Sequence, residues 1–166
     1  MFKPKERYEP ENAAALKKMI QIELDAMHYY RQATKHMKDK GAIDHFKQLA
    51  QEELEHAQSF YQIYVGDDLP PLTEMVRTQP EGSSLVQARD GDLLARLDER
   101  QALQLAIRLE QEVESSLRRL VLSAGDPEVK AVVEKNADST LNHLQLIQQD
   151  YRRLYRDPPG QCFNEG

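Results

Sequence analysis

The chain has 166 residues, a formal net charge of −6 and one cysteine. That length gives one domain, taken as residues 1–166, with enough chain to bury a core. The mild, dispersed acidity leaves no footprint for nucleic acid, and a lone Cys162 excludes an intrachain disulfide framework and any four-cysteine metal site.

The first seven residues, from Met1 to Arg7, are charged and lead into polar sequence. No apolar run follows that could serve as a signal peptide or a membrane span, so a reducing cytoplasm is the expected location. Helix formers dominate: Leu, Ala, Gln, Glu, Lys and Arg. Arg118-Arg119 and the run from Arg152 to Arg156 fall near predicted helix ends, where they complement the helix dipole.

The spacing predicts a first helix from about Pro10 to Lys40, stopped by Gly41. Its inward stripe reads Leu16, Ile20, Glu23, Met27, Tyr30, Thr34 and Met37. A second helix is predicted from about Ala42 to Val65, with Ala42, Phe46, Leu49, Glu53, His56, Phe60 and Ile63 inward. The short link makes these two an antiparallel hairpin. Residues 66 to about 91, with Pro70, Pro71, Pro80 and Gly82, form a long crossover with a helical turn near Leu72 to Val76. A link of that length allows the third helix to run parallel to the second.

The third helix is expected to start after Asp90 or Asp92, as N-caps, and to reach Ser123. Its stripe is Leu103, Ala106, Glu110, Val113, Leu117 and Leu120. The fourth starts at Asp126-Pro127-Glu128 and runs to about Arg156, with Val129, Val133, Asn136, Thr140, His143, Ile147 and Leu154 inward. The fold class is therefore all-α: a four-helix bundle over about 10–156, made of two antiparallel hairpins joined by a crossover. Residues 157–166 form a tail.

Acidic and imidazole groups interrupt these apolar stripes at matched spacings. Glu23 precedes Glu53 by 30 positions, and His56 completes a Glu-x-x-His motif; Glu110, Thr140 and His143 repeat the series 87 residues later. In Glu-x-x-His the two side chains share one helix face. Inward carboxylates can bridge two divalent ions while each imidazole binds one, and this donor set suits iron, manganese or zinc. Without metal, Glu23, Glu53 and Glu110 are crowded in a low-dielectric interior and cannot all stay ionised. A Glu–His hydrogen-bond network without metal is the other reading of the same residues.

These residues resemble the rubrerythrin-like branch of the ferritin-like superfamily. The resemblance covers about residues 13–156 and is carried by Ile22-Glu23 through Tyr30, by His45 through His56, and by Ala102 through Glu110. It implies a non-haem di-iron centre, acting on peroxide or oxygen, with Glu23, Glu53, His56, Glu110 and His143 as metal ligands. It also implies pairing of two copies through their helices.

Three departures bear on activity. Thr140 stands where the family's second Glu-x-x-His motif has Glu. Leu117 stands where many relatives have Tyr, although Tyr30 keeps its counterpart. No paired Cys-x-x-Cys module is present, so any electron donor is expected to be a separate protein. Three glutamates leave two divalent ions short of one negative charge. The expectation is an asymmetric centre: a tight position from Glu23, Glu53 and His56, and a weak one from Glu110 and His143 with Glu53 bridging. Glu114 and Asn136 are the substitutes within reach.

The functional alternatives are a redox enzyme of the peroxidase or ferroxidase kind, a non-catalytic iron-handling bundle, and a structural relic. Tyr30 is placed to donate a hydrogen bond to a ligand, or simply to fill the core. His28, His36 and Asp25 are expected in solvent and His45 at an interface. Glu52, Glu55, Glu112 and Glu134 are expected as surface charges. Cys162 is an inert, intermolecular or redox thiol.

Overall fold

The computed structural model describes residues 10–78 and 96–156. They form helices α1 (Pro10–Ala33), α2 (Lys40–Ile63), α3 (Leu72–Arg77), α4 (Glu99–Ser123) and α5 (Pro127–Tyr155), with no strand among the described residues. The longest packing interfaces join α1 to α2 and α4 to α5, the two expected hairpins.

Cross-links between the hairpins fix the directions. Tyr30 of α1 reaches Glu110 in mid-α4, and the backbone N–H groups of Lys38 and Asp39 donate to Glu99 at the start of α4, both at 2.7 Å. Helices α1 and α4 therefore run antiparallel. Along α2 and α5, His45 meets Asp150, Glu53 meets His143, and Ser59 meets Asn136. These two are also antiparallel, so α2 and α4 run parallel. Only a connection that traverses the bundle's length can join them, which is the ferritin-like arrangement.

The predicted stripes supply the core. Leu16, Ile20, Met27, Phe46, Leu49, Phe60, Leu103, Ala106, Leu117, Val133 and Ile147 are buried, while Thr34 and Leu154 lie at its margin. Tyr29, Tyr30 and Phe46 pack edge to face, with Tyr30 and Phe46 centroids 4.9 Å apart.

Three boundaries differ from expectation. The first helix ends at Ala33 rather than Lys40, continues as a 3-10 turn over Thr34–His36, and becomes extended at Met37. Asp39 then caps α2, its carboxylate accepting from the Ala42 N–H at 2.8 Å. Gly41 is thus in the first turn of α2 and stops nothing. A good N-cap competes with a C-terminal glycine for the same corner, and here it is also tied down by Arg153 (2.7 Å to Asp39) and Glu99. Helix α2 closes at Ile63, two residues before the expected Val65.

Helix α4 is capped by Asp98 in a reciprocal box with Gln101. The expected caps Asp90 and Asp92 lie outside the described residues, as do Cys162 and the tail. Asp126 caps α5 with Pro127 in its first turn, as expected, and Arg156 ends it in the left-handed conformation at φ 47°. Among the described residues, no helix is long and apolar enough to cross a membrane.

Candidate metal centre

Each helix of the two hairpins sends one or two polar groups into the middle of the bundle. Glu23, Glu53, His56, Glu110, Thr140 and His143 are all buried, at 7 % exposure or less. They are there because they occupy inward positions of stripes that are otherwise apolar, so the core that buries the leucines buries them too.

Glu53 is the hub. Nδ1 of His56 stands 3.1 Å from its Oε2, and Nδ1 of His143 stands 3.0 Å from its Oε1. The donor atoms of Glu53, His56 and His143 lie within 4.8 Å of one another. Glu23 adds an oxygen 3.6 Å from Nδ1 of His56, and Glu110 one 3.7 Å from Nδ1 of His143. The five residues named from the sequence thus converge, and both histidines present Nδ1 to the carboxylates. The two rings stack at 5.2 Å between centroids, 11° from parallel.

The protons in this cluster follow from burial and neighbouring charge. Burial, together with the Glu53 carboxylate, pushes Glu23 up to about 8. Burial also opposes ionisation of Glu53, but the imidazoles of His143 and His56, with Glu23, prevail and hold it below the usual carboxylate range. Glu23 is therefore the carboxyl of this pair that more favours its neutral form. For His56, burial works against the charged form, yet Glu23 and Glu53 overcome it and raise the imidazole to about 10. His143 is raised to about 11 against the same burial, by Glu110 and Glu53. Two protonated imidazoles thus hold the positive charge that the carboxylates require.

Glu23 is the group this network holds least closely, its ion-pair contact with Nδ1 of His56 being 3.6 Å long. It is fully buried, and neither carboxylate oxygen has a hydrogen-bond partner. A buried carboxylate without a partner is costly, and a cation between Glu23, Glu53 and His56 would satisfy it. The donor set, carboxylate plus imidazole with no thiolate, fits a divalent first-row ion.

Thr140 occupies the inward position expected from the repeat, but its hydroxyl donates to the backbone carbonyl of Asn136 at 2.9 Å. Asn136 spends its amide N–H groups on Ser59 Oγ and the Val132 carbonyl. Glu114 turns away to Arg118 at 2.9 Å and takes no place in the cluster. Tyr30 donates to Glu110, so its partner is the glutamate of the opposite hairpin, and its own proton is held well above the usual phenol range by burial and by Glu110.

The expectation for several outer residues needs correction. Glu52 is not a free surface charge: it is one-third exposed, and its Oε2 lies 2.6 Å from Nε2 of His143. Asp25 is buried at 3 % exposure and accepts from Gln21 at 2.8 Å. His28 is half-buried, which lowers its affinity for a proton. Both lie off the apolar stripe, but α1 is covered on more than one face, which its own periodicity does not reveal. His45 binds Asp150 of α5 at 2.6 Å, a contact inside the bundle. His36, Glu55, Glu112 and Glu134 are exposed, as expected. Ser139 was missed: its Oγ lies 2.9 Å from Nε2 of His56.

A family model described as Rubrerythrin matches residues 14–151, most of the chain. Comparison with curated proteins gave no match.

Proposed function

The chain belongs to the rubrerythrin family, and on that footing we propose that Glu23, Glu53, His56, Glu110 and His143 hold two divalent ions, iron foremost, for reaction with peroxide or oxygen. The carrying observation is Glu23: a fully buried carboxylate with no hydrogen-bond partner, aimed at a cluster of carboxylates and imidazoles. Manganese and zinc suit the same ligands.

Reduced iron in this site would supply the electrons that cleave or reduce a bound oxidant. The chain's own residues do the rest. Glu53, between both Nδ1 atoms, is placed to bridge. To hold an ion through Nδ1, His56 and His143 would have to release the proton there, so metal uptake would strengthen as pH rises. Tyr30 fixes the rotamer of Glu110. Phe46 and the surrounding core keep bulk water out. We read the chain as a single domain working in the cytoplasm, with a separate electron donor and a second copy of itself as partners.

Thr140 favours a second reading, a non-catalytic iron-handling bundle, because its position contributes a hydroxyl already engaged with Asn136. An anaerobic Fe(II) titration separates the two. Two irons per chain that oxidise rapidly on adding peroxide support the redox enzyme. One slowly reacting iron supports the binding protein, and no binding above background overturns both. Thr140→Glu is expected to tighten ion binding at the Glu110–His143 half by restoring a fourth carboxylate. Unchanged stoichiometry and affinity in isothermal titration would refute the geometry assigned to that position.

A further inference from the structure

Support for the cluster comes from outside it, and it is unevenly shared. Glu52 and Ser139 are separated by the same 87 residues that relate the two halves of the site. Each reaches across the α2–α5 interface to the outward nitrogen of the other half's histidine. Glu52 meets Nε2 of His143 at 2.6 Å, and Ser139 meets Nε2 of His56 at 2.9 Å. Ser139 also lies 3.5 Å from Nε2 of His143, so that ring is backed by a carboxylate and, more distantly, the hydroxyl, whereas His56 has the hydroxyl alone. Tyr30 divides the halves the same way. Its hydroxyl holds Glu110, while the position 87 residues on is Leu117, which has no hydrogen to give Glu23.

Both strong outer contacts thus serve the half that lacks a carboxylate at Thr140. A carboxylate behind an imidazole N–H fixes the ring and makes the opposite nitrogen a better donor to metal. It also brings negative charge close to the ion without occupying a coordination position. Glu23, Glu53 and Glu110 fall one charge short of two divalent ions, and Glu52 stands where the remaining charge is useful.

We propose that Glu52 is the positioning carboxylate of His143, that it replaces from behind the imidazole the charge missing at Thr140, and that the first divalent ion consequently binds at Glu53, Glu110 and His143. This order is the reverse of the one that counting ligands gives, and it rests on the reading of the cluster as a metal centre. Nδ1 of His143 faces Glu53 and would face the ion, while Nε2 stays against Glu52.

The test is a Zn(II) titration of the full chain, followed by calorimetry and by nitrogen-15 NMR of the histidine side chains. At one equivalent, the Nδ1 resonance of His143 is expected to move to a metal-bound shift while that of His56 stays at its metal-free position. Glu52→Gln keeps the shape, and at a one-third exposed position it should fold. It is expected to weaken the first step about 10–100-fold and to shift the Nε2 resonance of His143. Ser139→Ala, which removes the hydroxyl behind His56, is expected to weaken the second step more than the first. Zinc appearing first at His56, or a first step of unaltered affinity in Glu52→Gln, overturns this inference alone. Wild-type protein that binds no zinc at either histidine overturns the metal centre as well.

Discussion

Replacing Glu23 by methionine is expected to stabilise the metal-free protein while weakening its hold on metal. Glu23 is fully buried and neither of its oxygens has a hydrogen-bond partner. Leaving such a group unsatisfied costs about 1–3 kcal/mol. Methionine has similar volume, no polar atom to satisfy, and tolerance for irregular surroundings. Thermal unfolding of chelator-treated protein should therefore show a melting temperature higher by several degrees, with one ion lost from the metal count. A core residue that stabilises a fold should behave in the opposite way. A lower melting temperature with an unchanged metal count would mean that Glu23 is structural and not a ligand.

A second large effect is expected from pH. His56 is raised to about 10 and His143 to about 11, both from an ordinary 6.5. A raised folded-state value means that the folded protein holds protons the unfolded chain releases. The stability these groups contribute is complete below about pH 6.5 and is lost as pH rises through 10 and 11. Glu23, raised to about 8 from 4.5, acts in the same sense at lower pH. Glu52 and Glu53 are lowered, so their contribution falls away only toward acid. The melting temperature of metal-free protein is therefore expected to drop steadily from neutral pH upward. Metal-loaded protein should not follow, because its ions replace the imidazole protons and bind more tightly as those protons leave. A flat profile for metal-free protein, or parallel profiles for the two forms, would show that the imidazoles are not the charge carriers.

Inward placement of Glu23, Glu53, His56, Glu110 and His143 was legible in the sequence, because burial of a helix face is periodic and each residue shares a stripe with Leu or Ile neighbours. The hairpins were legible for a related reason. Short links hold consecutive helices antiparallel, and a long link frees the third helix to run parallel to the second. The corner at Thr34–Asp39 was not legible, since a glycine stop and an aspartate cap compete there. The contacts of Asp39 with Arg153 and Glu99, 114 and 60 residues away, belong to the assembled bundle.

The same division runs through the site. Periodicity says that a side chain faces inward, but it does not say which atom of which partner it meets. Glu52 and Ser139 each sit one residue before an inward position, at the edge of the α2–α5 interface, where a small rotation of either helix turns a surface charge into a histidine's partner. Whether Tyr30 reaches Glu23 or Glu110 depended likewise on how the first hairpin docks on the second. The sequence by itself determined the bundle and the inward positions of Glu23, Glu53, His56, Glu110, Thr140 and His143, because these depend on residue type and local helical repeat. Only the tertiary structure decided which half of the site receives the outer hydrogen bonds, because those depend on the angle and rotation at which four separate helices pack.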